Sequence, residues 1–197
     1  MDAVIIDSGG ANLASLQFAL ERLGARALVS SDARAIEAAA RVVLPGVGSA
    51  SDAMQRLRQS GLAEVLPRLR QPVLGICLGM QLLFERSEEG MTECLGLLPG
   101  TVRRLKSAPG RPVPHMGWNQ LTPSREDPLL EGIEPGEYFY FVHSYAVPVC
   151  EVTIAEVCYG EAFSAAVRRE NFWGAQFHPE RSAAAGARLL GNFLRLT

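Results

Sequence analysis

Short apolar runs alternate with helical segments along the first 86 residues, and this alternation restricts the possible folds more than any other feature of the sequence. The apolar runs predict strands at residues 3–7, 27–30, 41–45 and 73–77. Between and after them, apolar spacing and capping residues predict helices at 13–23, 33–40, 51–69 (with breaks at Gly61 and Pro67) and 78–86. Apolar strands separated by helices indicate a parallel sheet that is covered on both faces.

The second half of the chain is richer in β-forming residues, and its segments are joined by proline, glycine and asparagine turns. Strands are predicted at 98–105, 118–121, 138–147, 153–159, 163–168 and 174–178, followed by a helix at 182–196. We therefore predict an α/β fold, a flavodoxin-like three-layer domain with a mixed, largely parallel central sheet and extra antiparallel strands in the second half. The sequence contains no internal repeat or linker, so residues 1–197 are expected to form a single domain.

Composition excludes several classes of partner. The net charge is −2, which argues against nucleic acid or an anionic membrane surface as a partner. The first seven residues lack the basic region of a signal peptide, and no run approaches the roughly 20 apolar residues that span a bilayer. Four cysteines without a CxxC pair argue against structural zinc. We expect a cytoplasmic protein with reduced thiols and no cofactor or metal.

Cys77 stands where a predicted strand meets a predicted helix, in the sequence Gly75-Ile-Cys77-Leu-Gly79. This pattern is the cysteine version of a nucleophile elbow, in which flanking glycines allow a sharp turn that exposes the sulfur. The N-terminus of the following helix stabilises negative charge on the thiolate. The alternative is a cysteine that serves as a small buried hydrophobic residue. The paired glycines favour the nucleophile.

A cysteine nucleophile needs a base, and His178 is the one histidine that a carboxylate follows two residues later, in His178-Pro-Glu180. In an extended chain both side chains point the same way, so Glu180 can orient the imidazole. The alternative is a histidine at a strand end next to a surface charge. For an isolated His-Pro-Glu that alternative would be preferred, but the cysteine elbow reverses the preference.

Acyl transfer also needs hydrogen-bond donors for an oxyanion. The amide of Leu78 at the start of the helix is one candidate. The other is the loop Pro45-Gly46-Val47-Gly48, because loops at the carboxyl ends of neighbouring parallel strands meet at one crevice. Read alone, this loop is an ordinary turn.

These motifs together resemble the class I (triad) glutamine amidotransferases, and more narrowly the glutaminase subunits of imidazole glycerol phosphate synthases. The resemblance covers nearly the whole chain. It is carried by Asp7-Ser-Gly-Gly-Ala-Asn12, Leu44-Pro-Gly-Val-Gly48, Gly75 to Glu85, Pro114-His-Met-Gly-Trp-Asn119, Val142-His-Ser-Tyr145 and Gln176 to Ser182.

The resemblance implies that Cys77 attacks the carboxamide of glutamine and that His178, oriented by Glu180, moves the protons. It implies substrate contacts from Gln81, Ser144 and Tyr145. It also implies that the ammonia passes to a (β/α)8-barrel cyclase subunit. That partner forms imidazole glycerol phosphate and an aminoimidazole carboxamide ribotide in histidine biosynthesis. Without the partner, the Pro45–Gly48 loop is expected to be outside its oxyanion-binding form and the chain nearly inactive.

The resemblance places Asn12, Trp118, Asn119 and Arg181 near the interface with the cyclase. Trp118 could instead be a core aromatic, but its glycine, asparagine and proline neighbours favour an exposed loop that contacts a partner. The sequence departs from the family pattern at Ser8, Ala11 and Arg181. His115 and His143 are expected to be structural or interfacial rather than catalytic.

Two other functions fit parts of the sequence. One is a class I amidotransferase subunit that serves a different synthase, which co-purification would reveal. The other is a redox or chaperone-like protein of flavodoxin fold with a reactive elbow cysteine. That alternative predicts a peroxide-sensitive Cys77 without glutamine turnover and gives no reason for His178-Pro-Glu180.

Overall fold

A computed structural model describes residues 1–7 and 13–197. The strands of this part of the chain are β1 Ala3–Ile6, β2 Ala27–Ser30, β3 Val42–Gly46, β4 Val73–Cys77, β5 Phe84–Ser87, β6 Thr92–Glu93, β7 Leu98–Arg104, β8 His115–Gln120, β9 Thr122–Pro123, β10 Tyr138–His143, β11 Tyr145–Ala146, β12 Thr153–Tyr159, β13 Glu161–Arg169 and β14 Phe172–Ala175. The α-helices are α1 Leu13–Arg22, α2 Ala33–Glu37, α3 Ala50–Gln59, α4 Leu62–Val65, α5 Leu78–Leu82 and α6 Ala183–Phe193. Short 3-10 turns occupy Leu66–Arg68, Glu89–Met91, Pro128–Leu130 and Pro179–Arg181.

The central sheet has eight strands in the order β2-β1-β3-β4-β14-β13-β12-β9. The first five strands of this order pair in parallel, and the remaining pairings are antiparallel. The predicted mixed, largely parallel sheet is therefore confirmed.

Alternate residues of β1 face opposite sides of the sheet, as a strand with two buried faces requires. Ala3 and Ile5 pack with α1 and α6, whereas Val4 and Ile6 pack with α2, α3 and α4. The sheet thus separates two apolar cores, which gives the predicted three layers. None of the helices in the described part of the chain combines the length and apolar character needed to cross a bilayer.

The helix predicted over residues 78–86 is wrong in its second half. Helix α5 ends at Leu82, and Phe84–Ser87 forms β5, which pairs with β7 and β6 in a second sheet of order β11-β7-β5-β6. Phe84 is fully buried there. An apolar run such as Leu82-Leu83-Phe84 suits a buried strand as well as a buried helix, and the pairing with β6 and β7 that decides between them forms only in the folded chain.

The strand predicted over residues 138–147 is divided in two at Ser144. Before that bend, β10 pairs with β8 in a two-stranded sheet, and after it β11 pairs with β7. Trp118 was predicted both in a strand over 118–121 and on an exposed loop; the strand is confirmed and the loop is wrong, because Trp118 lies within β8 opposite Tyr140. Its side chain is nevertheless exposed.

Candidate active site

Cys77 is the last residue of β4 and immediately precedes α5. Its backbone has φ 54° and ψ −114°, a conformation that L-residues rarely adopt and that surrounding packing must enforce. The elbow predicted from the sequence is therefore present, and its strain lies at the cysteine itself.

The flanking glycines are needed for close packing. A Cβ on Gly75 would lie 2.7 Å from the carbonyl oxygen of Gly79, and a Cβ on Gly79 would overlap the carbonyl oxygen of Leu44 in β3. A Cβ on Gly46 would lie 2.8 Å from the amide nitrogen of Gly79. The first turn of α5 consequently lies directly against the end of β3.

His178 reaches Cys77 because β14 is the parallel neighbour of β4, with Gly174 opposite Gly75 and Ala175 opposite Ile76. The Nδ1 atom of His178 lies 2.9 Å from Oε1 of Glu180. The connection between them is a 3-10 turn over Pro179–Arg181, rather than the extended chain assumed from the sequence. The expected contact is formed, although by a different backbone path.

The electrostatics of His178 reflect both of its partners. Burial disfavours its charged form, but hydrogen bonds to Cys77 and Glu180 and the negative charge of both groups outweigh that effect and raise the pKa of His178 to about 10. The imidazolium that results stabilises a thiolate beside it. The Sγ atom of Cys77 also lies 3.7 Å from the carbonyl oxygen of Val142.

A cavity of about 410 Å³ opens over this group. Cys77 and His178 line it together with Val47, Gly48, Leu78, Gln81, Glu89, Pro114, Val142, His143, Ser144, Tyr145 and Arg181. The cavity therefore brings together the predicted nucleophile, base, substrate-contacting residues and most of the predicted oxyanion-binding residues. Gly46 lies directly behind the nucleophile, opposite Cys77 in the pairing of β3 with β4.

The loop that follows β3 forms one wall of the cavity. Gly48 has φ +88°, which favours glycine, and no heavy atom of the described residues lies within 4 Å of the position that a Cβ would take there. Leu78 supplies the first backbone amide of α5 on the adjacent wall. The loop and the start of α5 thus line the cavity beside Cys77 from two different elements.

Comparison with known proteins identifies the family. A protein-family model described as "Glutamine amidotransferase class-I" matches residues 4–196. The chain belongs to the class-I glutamine amidotransferases. Proteins named imidazole glycerol phosphate synthase subunit HisH are similar along their whole length. The one from Xylella fastidiosa is 57% identical over 99% of this chain and 98% of its own. The one from Shewanella oneidensis is 53% identical, over 99% and 96%.

Solved structures share the fold of this amidotransferase. A structure titled glutamine amidotransferase has a TM-score of 0.76 at 22% identity and covers 98% of this chain and 97% of its own. The structure of PurLQS from Thermotoga maritima has a TM-score of 0.68 at 22% identity, covering 98% and 96%. At this identity the likeness concerns the fold alone.

In the amidotransferase site Gln81 is hydrogen-bonded to Gln176, a residue to which the sequence motifs assigned no role. Gln176, the first residue of the motif that runs to Ser182, is fully buried. Its Nε2 atom lies 3.9 Å from Sγ of Cys77. The Nε2 atom of Gln81 donates to Oε1 of Gln176 at 2.9 Å and to the carbonyl oxygen of Tyr145 at 2.8 Å. Both of these hydrogen bonds are donated by the side-chain amide nitrogen of Gln81, so its side-chain carbonyl oxygen is left to bind a ligand.

Glu89 was also missed. It lies on a short 3-10 turn and is the one glutamate that lines the cavity in the described part of the amidotransferase. Its Oε2 atom accepts a hydrogen bond from the backbone amide of Ala50 at 2.8 Å. Glu89 lies beyond the end of the motif Gly75 to Glu85, so no sequence pattern marked it as a site residue.

Two of the four residues predicted to contact a partner, Trp118 and Arg181, lie on the same side of the amidotransferase, both against Tyr140. Trp118 is 52% exposed, and Met116 and Tyr138 are similarly exposed on β8 and β10. The guanidinium of Arg181 stacks 4.9 Å from the ring centre of Tyr140. The side chain of Asn119 points the other way, towards His115 and the carbonyl oxygen of Cys158. Asn12 lies outside the described residues.

Proposed function

We propose that this chain is the glutaminase subunit of an imidazole glycerol phosphate synthase. It hydrolyses glutamine to glutamate and ammonia, and the ammonia serves the cyclase reaction in histidine biosynthesis. The observation that carries this proposal is that Cys77 and His178 line one cavity while Nδ1 of His178 lies 2.9 Å from Oε1 of Glu180. The names and near-complete coverage of the HisH relatives support the choice of synthase.

Acylation begins from the ion pair of thiolate and imidazolium. The sulfur of Cys77 attacks the carboxamide carbon of glutamine and forms a tetrahedral intermediate. Its oxyanion is stabilised by the amide of Leu78 and by amides of the Gly46–Gly48 loop. His178 then gives its proton to the leaving nitrogen, and ammonia departs from a glutamyl thioester.

Deacylation uses the same groups in reverse. His178 has lost its proton to ammonia, and the neutral imidazole takes a proton from water as the water attacks the thioester. Collapse of the second tetrahedral intermediate releases glutamate and restores the thiolate and the imidazolium. Glu180 keeps Nδ1 protonated throughout, so that Nε2 is the nitrogen that faces the reaction.

The charges of the cavity indicate how glutamine lies in it. Glu89 is anchored through Ala50 and suits the α-ammonium group of the substrate. The free carbonyl oxygen of Gln81, together with Ser144 and Tyr145 on the bend between β10 and β11, would contact the rest of the amino-acid moiety. This orientation directs the carboxamide towards Cys77.

A (β/α)8-barrel cyclase subunit is the proposed partner. An exposed face of β8 and β10, formed by Met116, Trp118 and Tyr138, supports a protein contact there, since large aromatic side chains dominate binding energy at interfaces. Arg181 lies beside this face and adds a charge that can meet a carboxylate. We infer that residues 1–197 act as one amidotransferase domain in such a heterodimer.

Measurement of glutamate release from glutamine, with and without the cyclase and its ligand, tests the proposal. We expect release from the complex, little from the isolated chain, and none from a Cys77→Ala complex that still assembles. Retained hydrolysis by Cys77→Ala would disprove the mechanism. If Cys77 reacts with peroxide while glutamine is never turned over, the redox alternative is correct. Activation by a different synthase would support the other amidotransferase alternative.

A further inference from the structure

Two buried histidines outside the catalytic group form a hydrogen-bonded chain that ends at the cavity. The side chains of His115 in β8 and His143 in β10 are 3% and 6% exposed. Nδ1 of His115 lies 2.9 Å from Nε2 of His143, and Nδ1 of His143 lies 2.9 Å from the carbonyl oxygen of Tyr145. At the other end of the chain of hydrogen bonds, the side-chain amide nitrogen (Nδ2) of Asn119 lies 3.4 Å from Nε2 of His115.

The hydrogen-bond partners fix which nitrogen of each ring carries its proton. A carbonyl oxygen can only accept, so His143 donates from Nδ1 and accepts at Nε2. His115 must then donate from Nδ1, and its Nε2 accepts from Asn119. Burial lowers the pKa of His115 to about 4 and is the main cause that lowers the pKa of His143 to about 3. Both rings are therefore neutral near pH 7, as the chain of donors requires.

Aromatic neighbours hold both rings in place. His115 is stacked on Tyr159 with ring centres 4.1 Å apart and on Phe141 at 5.1 Å. His143 meets Phe163 edge-on at 5.0 Å. A ring that cannot turn keeps its hydrogen bonds in one direction, so the chain is a fixed structural connection.

The chain ends where the backbone changes sheets. Ser144 is the bend between β10 and β11, and the side chain of His143 spans that bend to bond Tyr145 two residues later. The same carbonyl oxygen of Tyr145 accepts a second bond from Gln81 at 2.8 Å. Two cavity side chains, those of His143 and Gln81, thus bond to the one carbonyl group of Tyr145.

We propose that His143, held by His115, is a positioning residue that fixes the Ser144–Tyr145 bend in the form that binds glutamine. This inference rests on the proposed glutaminase function and adds to it two residues outside the catalytic group. Because His115 belongs to β8, the strand that carries Trp118, the chain also joins the proposed partner face to the substrate cavity.

Two substitutions of His143 separate this role from packing. The amide of an asparagine takes the place of Nδ1 and can donate to Tyr145, whereas the amide of a glutamine takes the place of Nε2 and cannot. In the complex with the cyclase, we expect His143→Asn to keep the KM for glutamine within about twofold. We expect His143→Gln to raise it about tenfold with a smaller change in kcat, since the carbonyl oxygen of Tyr145 loses one of its two donors and keeps only Gln81. Equal KM values for the two variants would overturn the proposal.

Two substitutions of His115 provide an independent test in case the His143 variants do not fold. His115→Asn keeps a donor towards His143, and His115→Gln removes it, so we expect the same order of KM values. Equilibrium binding of glutamine to each variant in a Cys77→Ala background measures positioning without turnover. Wild-type complex that releases no glutamate refutes the proposed function. Normal wild-type turnover with equal KM and equal glutamine affinity in all variants refutes the positioning role alone.

Discussion

The Nδ1 atom of His178 lies 2.9 Å from a carboxylate oxygen of Glu180, although only Pro179 separates the two residues. This carboxylate and Cys77 together raise the pKa of His178 against the effect of its burial. In the proposed mechanism the imidazole is therefore charged before glutamine binds, and it supplies the proton for the leaving nitrogen.

The first prediction concerns Glu180→Gln, which keeps the shape of the side chain and removes its charge. We expect the pKa of His178, followed by NMR of the imidazole, to fall. Glutamate release by the cyclase complex should decrease at least about 100-fold, because general acid–base catalysis contributes about 10² to 10⁴ in rate. Glu151→Gln, on an exposed turn, is the matched control. An unchanged pKa of His178 in Glu180→Gln would contradict the electrostatic account.

The second prediction concerns two helical glycines with opposite surroundings. Gly79→Ala places a methyl group on the carbonyl oxygen of Leu44. It should lower the free energy of unfolding by about 3 kcal/mol or more, the upper part of the range for single substitutions. Gly191→Ala meets only the end of Arg195 at 3.7 Å and should stabilise the protein by up to about 1 kcal/mol. Urea unfolding measures both, and similar effects would show that the close approach of α5 to β3 is not required.

The third prediction concerns acid. His115 and His143 have pKa values lowered to about 4 and 3, so below pH 6.5 the unfolded chain binds protons that the folded protein does not. The free energy of unfolding should fall as the pH decreases from 6.5 towards 4.5, with about 1.4 kcal/mol per pH unit from each histidine. His178, whose pKa is raised to about 10 in the folded protein, opposes this slope near pH 6.5, where its unfolded form is still half deprotonated, and adds none once both states are protonated about one pH unit lower. Urea unfolding of His143→Asn should show a shallower slope than wild type, and identical slopes would refute the assignment.

The fourth prediction concerns the exposed face of β8 and β10. Trp118→Ala should weaken binding to the cyclase at least about 30-fold, as expected of a central interface aromatic, and should leave the fold intact. Leu28→Ala, at an exposed apolar position on the edge strand β2, is the control and should bind normally. Titration calorimetry with the purified cyclase gives both affinities. If Trp118→Ala and Leu28→Ala bind the cyclase with equal affinity, the interface does not include the exposed face of β8 and β10.

The sequence was most informative where local pattern and local structure coincide. Strands β2 and β4 were predicted with their observed bounds, and the elbow at Cys77 follows from its neighbours in sequence. Strand β5 was not predicted, because the apolar run that leads into it suits a helix equally well, and its pairing with β6 and β7 exists only in the folded chain. Gln176 and Glu89 were missed for a similar reason. Their roles come from contacts with Gln81, Cys77 and Ala50 that only folding creates.

The contact between Gly79 and Leu44 has a consequence for how the site can be switched on. Since β3 and the first turn of α5 touch without a side chain between them, neither can shift without the other. The first open space follows two residues after Gly46, at Gly48, where a Cβ would meet no atom of the described residues within 4 Å. On the proposed function, an activating change would thereby be confined to rotation of a peptide beyond Gly46, and the sulfur would stay where it is.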